Sequence, residues 1–423
     1  MEDFVSQPDF VNEISTIGRT NILLIFTCRS NVFDLQFQAI ERDFGGRYRE
    51  VSLNSIVSSD ASRWVDYLIS YGYWKEKAAL STQQRIDFIA SRCKGEIRGI
   101  LLALLDSPLF REKLDRYFTK LALLPEAVRE LIVYSTFLNF LNFRPNDPYY
   151  ISTLMNKEYV AMLPRISADS DVFEIIARQN DLVFKSSVFG EYFLREYVPD
   201  DILVKLLSVF AARIDEKRHG QPAYGDLLRR MLRFSVIRAL VSRRDGAKFI
   251  VQYFDGNSGL SIAHTDPLYW VQYSIARMDQ KQFDLCENYI GQAYGIARGR
   301  RSYDTYQVDT HHARFLLESR ISGFKDDDYF EAFKRAHKYV LSVLTRREED
   351  LIYPLQVSQL YLDFFLAFKG RLTEREVAEI VKAAEFILDK ISTYPTVLLE
   401  RKSVGASTVS KMKELKAAAA AYL

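Results

Sequence analysis

Three places in this 423-residue chain carry residue types whose spacing suits chemistry. The first is Thr27-Cys28-Arg29-Ser30, a polar tip on the apolar run Ile22–Phe26. A guanidinium there suits phosphate, because it stays charged and offers a planar two-pronged donor. It suits equally a neighbouring carboxylate that closes the strand end. Cys28 has no histidine close in sequence and reads as a small buried spacer. The second place is residues 213–248, where ten Lys or Arg stand against four acids, with His219 among them. Arg229, Arg230 and Arg233 are expected on one side of a helix whose other side carries Leu228, Met231 and Leu232. Such a stripe can hold nucleic acid or another partner through phosphate contacts; a solvated face or a clamp onto acids of the same chain explains it as well. The third place is His311-His312, after Asp309 and ahead of Glu318. Adjacent helical positions point about 100° apart, so the pair is poorly placed to share one metal. No H-E-x-x-H occurs, and a polar helix face is the expectation. No catalytic residue and no metal ligand is assigned.

The elements that must position these groups follow from pattern. A short apolar run bounded by polar residues reads as a strand buried on both faces, with its tip where open α/β sheets place ligands. A helix over Phe4–Ile17, stopped by Gly18, precedes it, and a weaker strand, Tyr48–Leu53, follows Gly45-Gly46. Beyond that the pattern turns helical: Ala61–Tyr71, then Ser81–Cys93 with Ser81 as cap, then a buried helix over Ile100–Leu105. Helices are predicted over Leu109–Leu124, Glu126–Leu141, Pro148–Met155 and Glu158–Leu163. The apolar runs Phe173–Ala177 and Leu182–Ser186, around Gln179-Asn180-Asp181, predict a β-hairpin, and a helical segment Phe189–Tyr197 packs after it. Three helices and a hairpin outline a winged helix.

Residues 200–423 read as helices in pairs, broken at Gly220-Gln221-Pro222, Gly256–Gly259, Arg298-Gly299-Arg300, Asp326-Asp327-Asp328 and Lys369-Gly370. That spacing predicts an α-solenoid. One pair is clear. With Trp270 in the tryptophan position of a tetratricopeptide repeat, Ser274, Cys286, Ile290 and Ala293 fall where the repeat wants small, small, bulky and small residues. Arg277 replaces the expected Tyr, and no copy recurs about 34 residues later. Tyr289, Tyr294, Tyr303 and Tyr306 are expected to pack within the solenoid with their phenols at the surface; the concave side is the natural partner groove. The alanine-rich end, Leu415–Leu423, is helix-prone and expected to fray.

Length argues for two to four domains. The balance of 48% hydrophobic and 26% charged residues is that of a soluble globular protein. A net charge of +2 favours no partner class over the whole chain. Three scattered cysteines exclude a disulfide frame or a readable zinc site and suit a reducing compartment. No run approaches the roughly 18 apolar residues of a membrane span, and Met1-Glu-Asp-Phe lacks a signal peptide's basic region. The cytoplasm, with no membrane partner, is the expected location.

The order of these elements resembles STAND-type NTPases of the AAA+-related class, nucleotide-controlled signalling switches common in bacterial antiviral defence and transcriptional regulation. Thr27 and Arg29 sit where that family carries "T-x-R", the sensor-1 arginine after a core strand. Lys94-Gly95, followed by Ile97–Leu104, resembles the family's "G-x-P-x-A-L" turn, with Ile97 in the place of the proline. The resemblance implies that Arg29, Thr27 and Gly95 contact ATP, with Mg, when an upstream segment supplies a P-loop. It implies a mainly α chain: a partial α/β NTPase core at 1–60, a helical lid at 61–108, a winged-helix-like domain at 109–199 and TPR-like repeats at 200–423. The sequence holds no G-x-x-x-x-G-K-[ST], whose backbone would cradle phosphate, and no acidic strand end of the Walker B kind. The chain is therefore expected to be the C-terminal, regulatory portion of such a switch, unable to hydrolyse ATP alone. Its expected partners are the upstream NTPase or effector segment and a protein or phage-derived ligand on the repeats. Two other readings fit the same residues: a winged-helix nucleic-acid-binding regulator, and a helical-repeat protein-interaction scaffold.

Overall fold

A computed structural model describes residues 56, 60–70, 72–74, 77–93, 95–105, 108–143, 149–159, 176–178, 182–184, 186–241, 246–346, 351–394 and 404–422. The strand Ile22–Phe26 and its tip Thr27–Ser30, the second strand, Lys94, Arg243 and Arg244 lie outside the described residues. The chain is mainly helical, and the described strands form one two-stranded hairpin. It divides into two compact units. One takes the described part of 51–231 together with 236–249, the other 232–235 together with 250–423.

The first unit opens with α1 (Ala61–Ser70), which buries Val65 and Leu68 beside Trp74 and Ile89. Helix α2 (Thr82–Asp87) starts in a capping box: Gln84 N–H donates to the Ser81 hydroxyl, and Ser81 N–H to the Gln84 side chain. Two of the donors that a helix start leaves orphaned are thus satisfied. The predicted single helix Ser81–Cys93 differs in its last turn, which widens to a π-helical turn over Phe88–Arg92. Cys93 N–H then reaches back to Phe88 C=O, and Gly95 N–H to Ile89 C=O. That six-residue closure needs the left-handed backbone that Gly95 supplies at φ +63°. Helix α3 (Ile97–Leu105) buries Ile100 and Leu105 but leaves Leu101 43% exposed, so it is half buried rather than enclosed.

Helices α4 (Pro108–Ala122), α5 (Glu126–Phe140) and α6 (Tyr150–Met155) lead to the hairpin of β1 (Ile176–Arg178) and β2 (Leu182–Phe184). The strands pair antiparallel with Ile176 opposite Phe184 and Arg178 opposite Leu182. Ile176 and Phe184 are buried, and Phe184 packs on Phe118 and Phe193. Each large apolar side chain so enclosed contributes roughly 1.5–3 kcal/mol. Helix α7 (Ser187–Tyr192) crosses α5 closely: a Cβ on Gly190 would stand 2.9 Å from Thr136 Cγ2. Like α2, it opens into a π-helical turn, Phe193–Tyr197.

Helix α8 (Asp200–Lys217) is followed by α9 (Pro222–Met231), α10 (Phe234–Leu240) and α11 (Gly246–Asn257). The second unit continues with α12 (Ser261–Thr265), α13 (Pro267–Asp279), α14 (Phe283–Arg298), α15 (Tyr306–Ile321), α16 (Tyr329–Arg346), α17 (Ile352–Ser358), α18 (Leu360–Phe368), α19 (Glu374–Thr393) and α20 (Val404–Tyr422). Successive helices pack as neighbours, α13 on α14 and α15 on α16, around a core rich in buried Phe and Leu. Helix α19 opens in a second capping box, Thr373 with Glu376. The expected fraying end is instead the docked helix α20: Thr408, Met412, Leu415 and Ala419 recur at its core face and are all buried. Thr408 Oγ1 ties it to α17 by donating to Leu355 C=O at 3.4 Å.

Candidate functional site

Helices α13 and α14 form the pair singled out by the tetratricopeptide spacing. Ser274, Cys286, Ile290 and Ala293 are each at most 2% exposed and meet where the two helices cross. Small residues let the backbones approach, and the bulky Ile290 fills the remainder. Asp266 caps α13 by accepting Leu268 N–H at 3.1 Å, with Pro267 at the first helical position.

One side of this pair carries a continuous aromatic set. Tyr273 stacks on Tyr289 at 4.3 Å between ring centres and on Phe254 at 5.4 Å. Trp270 lies 5.2 Å from Tyr289 and donates its indole N–H to Ala263 C=O at 2.7 Å. Arg277, in the place where the repeat pattern wants Tyr, lies over the Tyr273 ring at 5.0 Å. Its guanidinium donates to Tyr273 Oη at 2.6 Å, to Asp255 at 3.2 Å and to Gln282 at 2.8 Å. Tyr273 in turn donates to Asp255. Burial first, then the Asp255 carboxylate, raises the Tyr273 phenol well above its usual range. The set is neutral in its aromatics and charge-balanced in its Arg–Asp pair. Trp270 and Tyr289 are half-buried at its rim.

Helix α15 joins this pair through the two histidines, and they diverge as adjacent helical positions must. His311 points to α13: its Nε2 lies 2.9 Å from Ser274 Oγ. Ser274 Oγ also lies 3.2 Å from Cys286 C=O, to which its hydroxyl can donate, so one hydroxyl links all three groups. Ser274 and His311 are both buried, at 0% and 5% exposure. Burial, then Arg314 and His312, depress His311 to about 3. His312 turns to the other side, with Nδ1 3.4 Å from Tyr294 Oη and its ring 4.9 Å from Tyr339. Burial, then Arg335, depresses it to about 4. Among the described residues no group of three His, Cys, Asp or Glu is placed to hold a metal.

Asp309, one turn ahead of His312, is a hub that spacing did not announce. Its buried carboxylate accepts from Tyr294 at 2.8 Å, Thr305 at 2.9 Å and Arg346 at 3.0 Å. This ties the start of α15 to α14 and to the end of α16. A lone Asp followed by buried residues was the available signal. Of the four tyrosines grouped by sequence, Tyr289 and Tyr294 sit in these two networks.

The other sequence candidates are placed as follows. Thr27, Cys28 and Arg29 lie outside the described residues. Gly95 has both backbone groups engaged, its N–H with Ile89 and its C=O with Ile56 N–H at 2.7 Å. The basic run does not form one stripe. Helix α9 stops at Met231, and Arg233 falls in the break before α10 rather than on the helix with Arg229 and Arg230. The break is stabilised by Gln272, whose Oε1 accepts Phe234 N–H at 2.9 Å. Much of the run's charge meets acids of the same chain: Arg213 with Glu216, Arg218 with Asp215, and Arg229 with Asp226 at 3.2 Å. Arg230 is partly buried, which lowers its pKa. Cys93 and Cys286 are buried free thiols, pushed up to about 11 and about 12 by burial. Among the described residues no helix is long and apolar enough to cross a membrane.

No family model matches the chain, and no curated protein and no solved structure matches it either.

Proposed function

We propose that this chain is the regulatory, ligand-sensing part of a STAND-like NTPase switch acting in bacterial antiviral defence. Residues 1–60 would complete a nucleotide core, 61–108 act as lid, 109–199 as winged helix and 200–423 as TPR-like sensor. The observation that carries the reading is the pair α13–α14, which buries Ser274, Cys286, Ile290 and Ala293 in the order of a tetratricopeptide repeat. The hairpin β1–β2 after α4–α6, and the turn at Gly95 before α3, follow the family's order of elements.

In this reading ATP, with Mg, is bound by an upstream P-loop segment and touched by Arg29, with Thr27 and Gly95 shaping the site. A protein or phage-derived ligand binds the repeats, the half-buried Trp270 and Tyr289 being its apolar anchors. Ligand binding shifts the population of lid arrangements through its differential affinity for them. Within the first unit, Arg98 on α3 forks onto buried Glu191 on α7, with Nε–Oε2 at 2.9 Å. That contact joins the lid helix to the hairpin unit and is the element whose making or breaking would carry the signal.

The test is nucleotide turnover and binding. The chain alone is expected to show no ATPase activity above background. Adding the upstream P-loop segment is expected to give ATP binding that Arg29→Ala weakens. ATP hydrolysis by the chain alone, or binding indifferent to Arg29→Ala, would sink the reading.

A further inference from the structure

The exposed face of α14 has a composition that packing does not explain. From Asn288 to Tyr303 the chain carries three arginines and no carboxylate. The exposed positions Asn288, Gly291, Gln292, Gly295 and Arg298 recur at three- and four-residue intervals, so they share one side of the helix. None carries an apolar side chain. Glycine weakens a helix interior relative to alanine, yet Cβ atoms built at Gly291 and Gly295 would meet no atom within 4 Å. The glycines therefore serve no contact among the described residues.

This face runs into Arg298, Arg300 and Arg301, all exposed. Among the described residues no carboxylate forms an ion pair with any of the three. Arg298 reaches only the backbone, Nε to Tyr294 C=O at 3.4 Å, and Arg300 lies over the Tyr303 ring at 5.2 Å. Of the flanking acids, Glu287 holds Lys325 at 2.6 Å and Asp304 accepts Tyr306 N–H at 3.1 Å, while Asp284 is exposed in the first turn of α14, at the end of the helix away from the arginines. The contrast with the basic run at 213–248, where arginines meet acids of the same chain, is direct.

We propose that the exposed face of α14 and the turn after it, carrying Arg298, Arg300 and Arg301, bind the phosphate backbone of double-stranded nucleic acid. Arginine forks match phosphate oxygens, and phosphate contacts need no apolar anchor. A protein partner of comparable specificity would want exposed aromatic or aliphatic anchors, and none of Asn288, Gly291, Gln292, Gly295 and Arg298 supplies one; the half-buried Tyr289 is stacked on Tyr273. A single strand would want rings free to stack on bases, whereas the Tyr303 ring is covered by Arg300. Open glycine positions let a backbone approach closely, and the Asn288 and Gln292 amides add neutral donors. The proposal does not rest on the nucleotide-switch reading and uses none of its residues.

The test is fluorescence anisotropy of the whole chain with a duplex of about 20 base pairs, from about 50 to 200 mM salt. Binding is expected, with a log–log salt slope of roughly −2 to −3, as two or three neutralised phosphates imply. Arg300→Glu with Arg301→Glu is expected to weaken binding at least tenfold at unchanged Tm. Gly291→Glu should weaken it and Gly291→Lys should not, although both strengthen the helix. Arg229→Glu should leave it unchanged. No duplex binding at the lowest salt, binding untouched by the Arg300/Arg301 reversal, tighter binding of the matching single strand, or equal competition by polyglutamate would each overturn the proposal.

Discussion

Arg320 grips Asp328 with both prongs of its guanidinium, Nε to Oδ1 at 2.7 Å and NH2 to Oδ2 at 3.0 Å. The two ends of this pair differ sharply in environment: the arginine side chain is 3% exposed and the aspartate 48%. Asp328 closes the 3-10 turn Asp326–Asp328, and Asp326 of the same turn is held by Arg371 at 2.7 Å. An acidic turn at the entry to α16 is thus held by Arg320 of α15 and by Arg371 in the turn after α18.

The asymmetry of the pair dictates which half matters more. Asp328→Ala strands a buried guanidinium, left with its hydrogen bond to the Ser319 hydroxyl, a situation that costs about 3–5 kcal/mol. Arg320→Met removes the charge with the site and leaves an aspartate able to hydrate, so its cost is expected to be smaller. Urea unfolding of the two variants, with m unchanged, checks the order.

The Ser274–His311–Cys286 contact holds three helices at one point. Ser274→Ala removes the hydroxyl that partners both His311 Nε2 and Cys286 C=O, two buried groups. An expected loss of about 1–3 kcal/mol follows from leaving such groups unsatisfied, measured as a lowered urea midpoint.

His311 also sets an acid limit. Its folded pKa lies near 3, below the ordinary value of 6.5, so the unfolded chain binds the proton first. Stability is complete above pH 6.5, falls as pH drops from 6.5 towards 3, and levels off below. At pH 4 this single group subtracts on the order of 3 kcal/mol. Thermal melts from pH 7 to 4 should show the fall, and His311→Gln should flatten it.

Gly99 is fixed by a carbonyl. A Cβ there would lie 2.2 Å from Cys93 C=O, backbone that cannot step aside without undoing the Gly95 turn. Gly99→Ala is expected to cost about 2 kcal/mol or more, read in the unfolding of the first unit, whereas Gly225→Ala, with open space around it, should stabilise α9 slightly.

The buried thiols give a chemical readout. In a Cys28→Ser background, Cys93 and Cys286 are expected to react with a thiol reagent at pH 8 at least about 100-fold more slowly folded than unfolded, since burial suppresses both access and thiolate. Fast labelling of either would contradict the packing of α2 or of α13 against α14.

Helix positions were legible because apolar periodicity and caps are local: Ser81 sits where its box begins, and the runs flanking Gln179-Asn180-Asp181 do pair. The repeat spacing around Trp270 was legible for the same reason, as small residues mark a helix crossing. What escaped were features decided by distant partners. Whether Arg233 stays on a helix depends on Gln272, and Asp309 becomes a hub only when Tyr294, Thr305 and Arg346 converge. The alanines before Tyr422 speak for helix but not for docking, which Thr408, Met412 and Leu415 decide together. At 213–248 the clamp onto acids of the same chain was one of the readings offered, but counting arginines cannot tell which of them meet a carboxylate one turn away.

Helix α20 is synthesised after every helix it covers. Until Val404–Tyr422 emerges, the faces of α17, α18 and α19 that receive Met412, Leu415 and Ala419 stay wet on the ribosome. The second unit therefore cannot close its core progressively as it is made. A chain ending before Val404 would leave that apolar surface of α17, α18 and α19 exposed to water.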